Sequence, residues 1–338
     1  MSKPLISLII PMHNAERFIA KCLDSALAQT YDNTEVIIVD DNSTDGSASI
    51  AKSYVANHEN MLYTRVSNGN AARTRRDGLD KSNAELVCFL DADDILNERY
   101  IEYLYTAMEK ENTQISACNI DMFSSEDELK QNIPDHPKFY KIESNASTFA
   151  DHYHITDTNK LTLQTLPCKL FEKNLFDNID YEVLRTNIFE DNFIMVQILR
   201  KVKEIAVVDE TLYWYRQATG TTSGGTIATK VDLDGRQLNF VEFFRDVVME
   251  YCRKTFDGSD VDAAIDRLSA AEFYSYARMV PDLKTHNEYL EQKISLEEER
   301  LKDRDNKIES ILGSRSYRLG NAIVEPMSRL KNIFKKRR

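Results

Sequence analysis

The first 120 residues constrain the fold most, because short apolar, β-branched runs alternate there with segments of helical period. Dense runs occupy residues 5–10, 36–39 and 86–90, a less pure one 115–120, and a weakly alternating one 61–66. Between them Phe18, Ile19, Cys22, Leu23, Ala26 and Leu27 recur at helical spacing behind Asn14, a candidate N-cap. Residues 47–57, 71–82 and 98–110 read as further helices. Strands that are apolar on both faces and alternate with helices predict a parallel sheet covered on both sides.

Ligands of such a sheet bind beyond the carboxyl ends of its strands, so the residues that follow each run matter. They are Pro11-Met12-His13-Asn14, Asp40-Asp41-Asn42-Ser43-Thr44-Asp45-Gly46, Ser67-Asn68-Gly69-Asn70 and Asp91-Ala92-Asp93-Asp94. Any one alone reads as a turn; four on one rim, two of them rich in carboxylate, indicate a site. In VCFLDADDIL the apolar run ends in three carboxylates within four positions. Unit charges about 4 Å apart repel by about 4 kcal/mol at an effective dielectric near 20. Either these side chains splay into solvent or a cation sits among them.

Farther along, 127–137 reads as a loop, 192–201 as a helix after Glu190-Asp191, and 204–208 and 211–215 as strand or edge structure. Residues 231–280 look helical, and 283–312 reads as a weak coiled coil or long surface helix, with Ile294, Leu301 and Ile308 seven apart. The net charge of −12 argues against a general nucleic-acid binder. Residues 314–338 nevertheless carry eight Lys/Arg against one Glu, net +7, which leaves −19 for the rest. A basic tail on an acidic body suggests an anionic surface as partner. Five scattered cysteines show neither a disulfide framework nor metal spacing, which fits a reducing cytosol. The N-terminal apolar run, broken by Pro11 and His13, is too short for a signal sequence, and no window approaches a membrane span.

Two regulatory motifs compete for the acidic segments. VIIVDDNS looks like the acidic strand end of a response-regulator receiver with Asp91 as phosphoacceptor, and LDADD like the start of haloacid dehalogenase-type phosphatases. Both would place the first acidic motif on the opening strand, whereas a strand and a helix precede Asp40. The order SLIIPMHNAERFIAKCLDSALAQTY, EVIIVDDNSTDGS, FLDADD, FEDNF and LYWYRQATGTTS resembles family 2 glycosyltransferases, inverting nucleotide-sugar enzymes of the GT-A fold, over residues 4–225.

That resemblance implies a GT-A catalytic domain over 1–228, with a nucleotide half to about 120 and an acceptor half after it. A helical region over 229–282, the 283–312 segment and a basic amphipathic tail over 313–338 would follow. It implies nucleotide contacts from Pro11, Asp41, Asn68, Arg75 and Asp91, with Asp41 accepting from the base. Asp93 and Asp94 would hold Mn²⁺ or Mg²⁺ on the diphosphate, with capping of the next helix as the other role for Asp94. Arg216, Thr222 and Ser223 would lie at the diphosphate, and Asp191 would be the general base. The implied donor is a UDP-sugar and the acceptor a glycan or polyol-phosphate polymer, as in surface-polysaccharide or teichoic-acid assembly. The enzyme would be cytoplasmic, its tail on the inner face of the membrane, with the 283–312 segment available for a homo-oligomer contact. The chain departs from the family at Asn68-Gly69-Asn70, where the glycine is shifted. It also has Pro167-Cys168-Lys169-Leu170 where the family has Trp-x-Lys-Leu.

Overall fold

The apolar runs form strands, and the order in which they pair places the site. The computed structural model describes residues 3–129, 133–152, 160–179, 181, 190–217, 230–233 and 236–239. The elements β1 (Ile6–Met12), α1 (Ile19–Leu27), β2 (Thr34–Asp41), α2 (Ser47–Asn57), β3 (Met61–Val66), α3 (Ala71–Lys81) and β4 (Leu86–Phe89) alternate as expected. After them come β5 (Ile95–Leu96), α4 (Tyr100–Glu111), β6 (Ile115–Phe123), β7 (Phe139–Glu143), α5 (Ala146–Asp151) and β8 (Lys169–Glu172). The described chain ends with α6 (Glu190–Leu199), β9 (Glu204–Arg216), β10 (Lys230–Leu233) and β11 (Arg236–Asn239).

The main sheet runs β3-β2-β1-β4-β8-β6-β9-β5, with β7 also on β9. Strands β1 to β4 are parallel, while β8 is antiparallel to both its neighbours. The chain extends from β1 through β2 and β3 to one side and returns with β4 on the other, so β1 and β4 flank the switch point where ligands bind. Their ladder ends at Ile9 and Phe89, plus one bond from the Leu90 N–H to the Ile9 carbonyl. Pairing of β1 with β2 continues to Met12 and Asp40. Ile9 faces β4 with its polar groups, and two residues on Pro11 faces the same side. A proline, which has no N–H to give, is tolerated in this internal strand because β4 has already turned away.

Alternate residues of β1 feed two cores. Ile6, Leu8, Ile10 and Met12 pack with α1 and α4, whereas Ile9 joins Ile37, Val39 and Phe89 in a cluster with residues of α3 and α6. A Cβ on Gly78 would lie 2.4 Å from Ile9 Cγ2 and 3.3 Å from Val39 Cγ2. The glycine lets α3 lie close against the sheet, and thereby brings its first turns to the strand ends.

Several expectations are corrected. Asn14 does not cap α1: it adopts φ 50, and a tight turn from Ala15 to Phe18 separates it from the helix. Its side-chain oxygen instead accepts from the Thr44 N–H, and its own N–H donates to Ser43 Oγ, latching the first two rim loops together. The two strand pieces at 204–208 and 211–215 are one strand, β9, whose register against β6 shifts at Asn119. The region expected to be helical from 229 opens with an antiparallel hairpin, β10–β11. Its Val-Asp-Leu alternation and the Asp-Gly pair at 234–235 in the sequence favour a hairpin over a helix. The rest of that region, the 283–312 segment, the 313–338 tail, Thr222 and Ser223 lie outside the described residues. The receiver alternative is not supported: a receiver sheet has the order 2-1-3-4-5, whereas here β3-β2-β1-β4 is followed by the antiparallel β8.

Candidate active site

The two carboxylates that end β2 are occupied by the protein itself. Asp40 is buried and accepts from the Ser43 N–H, Tyr63 Oη and the Arg65 guanidinium. Burial works to raise its pKa, but these bonds overcome it and hold the carboxyl below its usual range. Asp41 Oδ1 accepts from the N–H groups of Asn68 (2.6 Å) and Gly69 (3.1 Å). Its Oδ2 accepts from the Asn70 N–H (3.2 Å) and Thr74 Oγ1 (3.1 Å). Gly69 supplies the left-handed φ of 60 that this loop needs. The Asn70 side chain caps α3 by accepting from the Arg73 N–H, so Asp41 also faces the positive end of that helix. The role expected for Asp41, acceptor to a nucleobase, is not the one its oxygens perform here: both are engaged in closing the β3–α3 loop. The Asn68 side chain is likewise tied, donating to Asp77 Oδ2 at 2.7 Å.

The three carboxylates after β4 are separated by the fold. Asp94 is fully buried, with Oδ2 accepting from Tyr213 Oη at 2.6 Å and Oδ1 from the Arg216 N–H at 2.8 Å. It is therefore neither a metal ligand nor a helix cap, since α4 begins six residues later with Arg99 at its cap position. Burial pushes its carboxyl up, as do Asp93 and Asp91, and the two donors offset part of this. Tyr213 reaches Asp94 because β5 pairs with β9, Ile95 opposite Trp214. The same pairing brings Arg216 alongside, where its Nε donates to the Asp93 carbonyl at 2.9 Å. The Arg216 guanidinium lies 4.4 Å from the Phe123 ring centre and 5.1 Å from that of Phe18.

Asp91 and Asp93 remain half-buried at the rim. Among the described residues, no three ligating side chains converge on one point. Small hard cations are commonly held by one or two carboxylates together with substrate phosphates. This oxygen donor set therefore fits an ion shared with a diphosphate, and does not fit one held by protein alone.

Glu190 and Asp191, at the start of α6, meet the same rim through Arg75. Its side chain is only 6% exposed, and Nη2 donates to Asp91 Oδ1 at 2.8 Å while Nη1 donates to Asp191 Oδ1 at 2.9 Å. Glu190 Oε1 lies 3.6 Å from the same Nη1. Burial works against the charge on Arg75, but Asp191, Asp91 and Glu190 more than compensate and hold it protonated. The Asp191 carboxyl is raised by burial, an effect that Arg75 tempers; that of Glu190 is raised by burial and by the charge of Asp191. Asp191 Oδ2 accepts from the Leu166 N–H at 3.1 Å.

Sequence reasoning missed two contributors. Lys169, fully buried, donates Nζ to the carbonyls of Thr165 (2.6 Å) and Pro167 (3.3 Å), and so shapes the loop that offers Leu166 to Asp191. The signal was a lysine set between Cys168 and the apolar pair Leu170-Phe171, a placement that demands bonded partners if it is buried. Tyr213 reads as packing, and is buried, but its hydroxyl also accepts from the Asp91 N–H at 3.2 Å.

A parallel half, β3-β2-β1-β4, an antiparallel strand inserted beside the switch point and a carboxylate cluster on that rim define a GT-A-type transferase. The family description Glycosyl transferase family 2 matches residues 7–179, and the chain belongs to that family. Glycosyltransferase GlyA of Streptococcus pneumoniae is 28% identical over 64% of this chain, which spans only 31% of that protein's length. Glycosyltransferase GlyG of the same organism is 26% identical over 75% of this chain and 80% of its own. Staphylococcus aureus TarS, residues 1–349 in complex with UDP-GlcNAc, superposes with a TM-score of 0.58 at 18% identity, covering 78% of this chain and 71% of that one. The last likeness shows a shared fold.

Proposed function

We propose that this chain transfers a hexose or N-acetylhexosamine, with inversion, from a UDP-sugar to a hydroxyl of a cell-surface glycan or polyol-phosphate polymer. One observation carries the reading. A single guanidinium joins Asp91, on the rim beyond β4, to Asp191, at the start of α6, so the donor and acceptor ends of the site converge. The family supports the reaction class, and relatives include the minor teichoic acid biosynthesis protein GgaB of Bacillus subtilis, 26% identical over 62% of this chain. TarS was solved with UDP-GlcNAc and with UDP.

In this reading Asp191 takes the proton of the acceptor hydroxyl as its oxygen attacks the anomeric carbon, and the bond from that carbon to the diphosphate breaks on the opposite face. With one oxygen on Arg75 and the other on the Leu166 N–H, Asp191 still has lone pairs for that proton. Pro11 and the loop closed by Asp41 border the nucleoside side, and Arg216 stands beside Asp93 at the diphosphate side. Mn²⁺ or Mg²⁺ held by Asp93 would neutralise charge on the leaving diphosphate. Calorimetry with UDP provides the test: Mn²⁺ should strengthen binding to the wild type at least about tenfold, and Asp93→Asn should remove most of that gain. Equal affinity with and without metal would overturn the metal role.

The basic tail belongs to the same proposal. Arg315, Arg318, Arg329, Lys331 and Lys335 to Arg338 would attach the enzyme to anionic membrane, at about 1 kcal/mol for each basic residue near the surface. Among the described residues, no helix is long and apolar enough to cross a membrane. The full chain should sediment with anionic but not neutral liposomes at low salt, and a chain truncated after Gly313 should stay in solution. Equal sedimentation of both chains would rule the tail out as an anchor.

A further inference from the structure

We propose that Arg75 is a positioning residue that couples the two halves of the site: anchored by Asp91 on the donor side, its guanidinium sets the orientation of Asp191 on the acceptor side. The inference rests on the function proposed above and goes beyond a nucleotide contact, the role the family resemblance implies for this arginine.

The geometry ties the Arg75 side chain to both sides of the site. Both terminal nitrogens of Arg75 are used, one on each side of the site, at 2.8 and 2.9 Å. The Nε is buried without a hydrogen-bond partner among the described residues. A rigid planar fork spans two carboxylates in fixed directions, which a lysine ammonium does not reproduce. The groups that face Asp191 come from four elements or loops. They are Arg75 from α3, Asp91 from the end of β4, Lys169 from β8 and the Leu166 N–H from the loop before it, with Glu190 adjacent on α6 itself. Lys169 is bonded to loop carbonyls, so the direct ion pair of Asp191 is with Arg75. The position of the base thus depends on a residue whose other hand is on the donor rim.

The test uses the full chain and whichever of UDP-glucose, UDP-galactose, UDP-GlcNAc or UDP-GalNAc the wild type turns over, with UDP plus Mn²⁺ as the binding probe. Arg75→Lys keeps the charge and loses the fork. It should bind UDP within about threefold of wild type while kcat at saturating donor falls at least about tenfold. Arg75→Met should also move the acid limb of the kcat profile to higher pH, because the cation that favours ionised Asp191 is gone. A raised KM with unchanged kcat and an unmoved acid limb would reduce Arg75 to a donor contact and overturn the proposal.

If the Arg75 variants do not fold, Asp91→Asn, at a side chain 30% exposed, serves instead. Here kcat should stay at least about fivefold low even when donor saturates. Full recovery of kcat by saturating donor would overturn the coupling. The underlying assignment fails separately, by Asp191→Asn retaining turnover. An inactive Asp191→Asn with a fully active Arg75→Lys would sink only the inference about Arg75.

Discussion

Asp191→Asn is expected to lower transfer by about 10²–10⁴ while UDP binding stays within a few-fold of wild type. The asparagine keeps the shape, and its one carbonyl oxygen can still accept from Arg75 or from the Leu166 N–H, but it cannot take the acceptor's proton. Such a base acts as the hydroxyl attacks and contributes little to donor binding in the ground state. The pH profile gives an independent check. Burial holds the Asp191 carboxyl above the ordinary aspartate range, with Arg75 pulling it partly back. The active form is the ionised one, so the rate should fall as pH drops through a value higher than that of an exposed aspartate. If Asp191→Asn keeps more than about a tenth of wild-type turnover, a different group is the base.

Asp41→Ala should have the other large effect, on the loop and through it on the donor. The substitution removes the acceptor for three backbone N–H groups at once, while the Thr74 hydroxyl keeps the Asn70 carbonyl as acceptor. Each buried donor left unsatisfied costs about 1–3 kcal/mol, and water reaching the rim will restore part of this, so a net loss of about 2–4 kcal/mol is expected in urea unfolding. UDP affinity should fall at least about tenfold, a loss of roughly 1.4 kcal/mol or more, with the metal requirement unchanged. Weaker binding with unaltered stability would instead make Asp41 a direct contact of the nucleotide.

Both predictions trace to residues the sequence already marks, yet in one of them the role has changed. Pro11, Asp41, Asn68, Asp91 and Asp191 can be picked from strand-end position and motif order, because local patterning places a strand and its carboxyl end without knowledge of the neighbours. The roles could not be read the same way. Asp94 and Asp91 are both aspartates of one acidic run, but the register of β5 against β9 draws Asp94 onto Tyr213 and Arg216 and leaves Asp91 at the rim. Asn14 has the composition of a cap and serves as a latch, because the partner that claims it is thirty residues away.

The sequence by itself determined the alternation of β1 to β4 with their helices, the rim on which polar residues collect and the family. Each of these follows from hydrophobic period and short-range motif, which are properties of neighbouring residues. Only the tertiary structure decided which carboxylates satisfy the protein and which stay at the site, and that Arg75 joins Asp91, 16 residues away, to Asp191, 116 residues away. The close approach of α3 over Gly78 and the insertion of antiparallel β8 beside β4 bring these groups together. The reason is that hydrogen-bond partners of buried polar groups are chosen by strand order and register, which no local window of sequence contains.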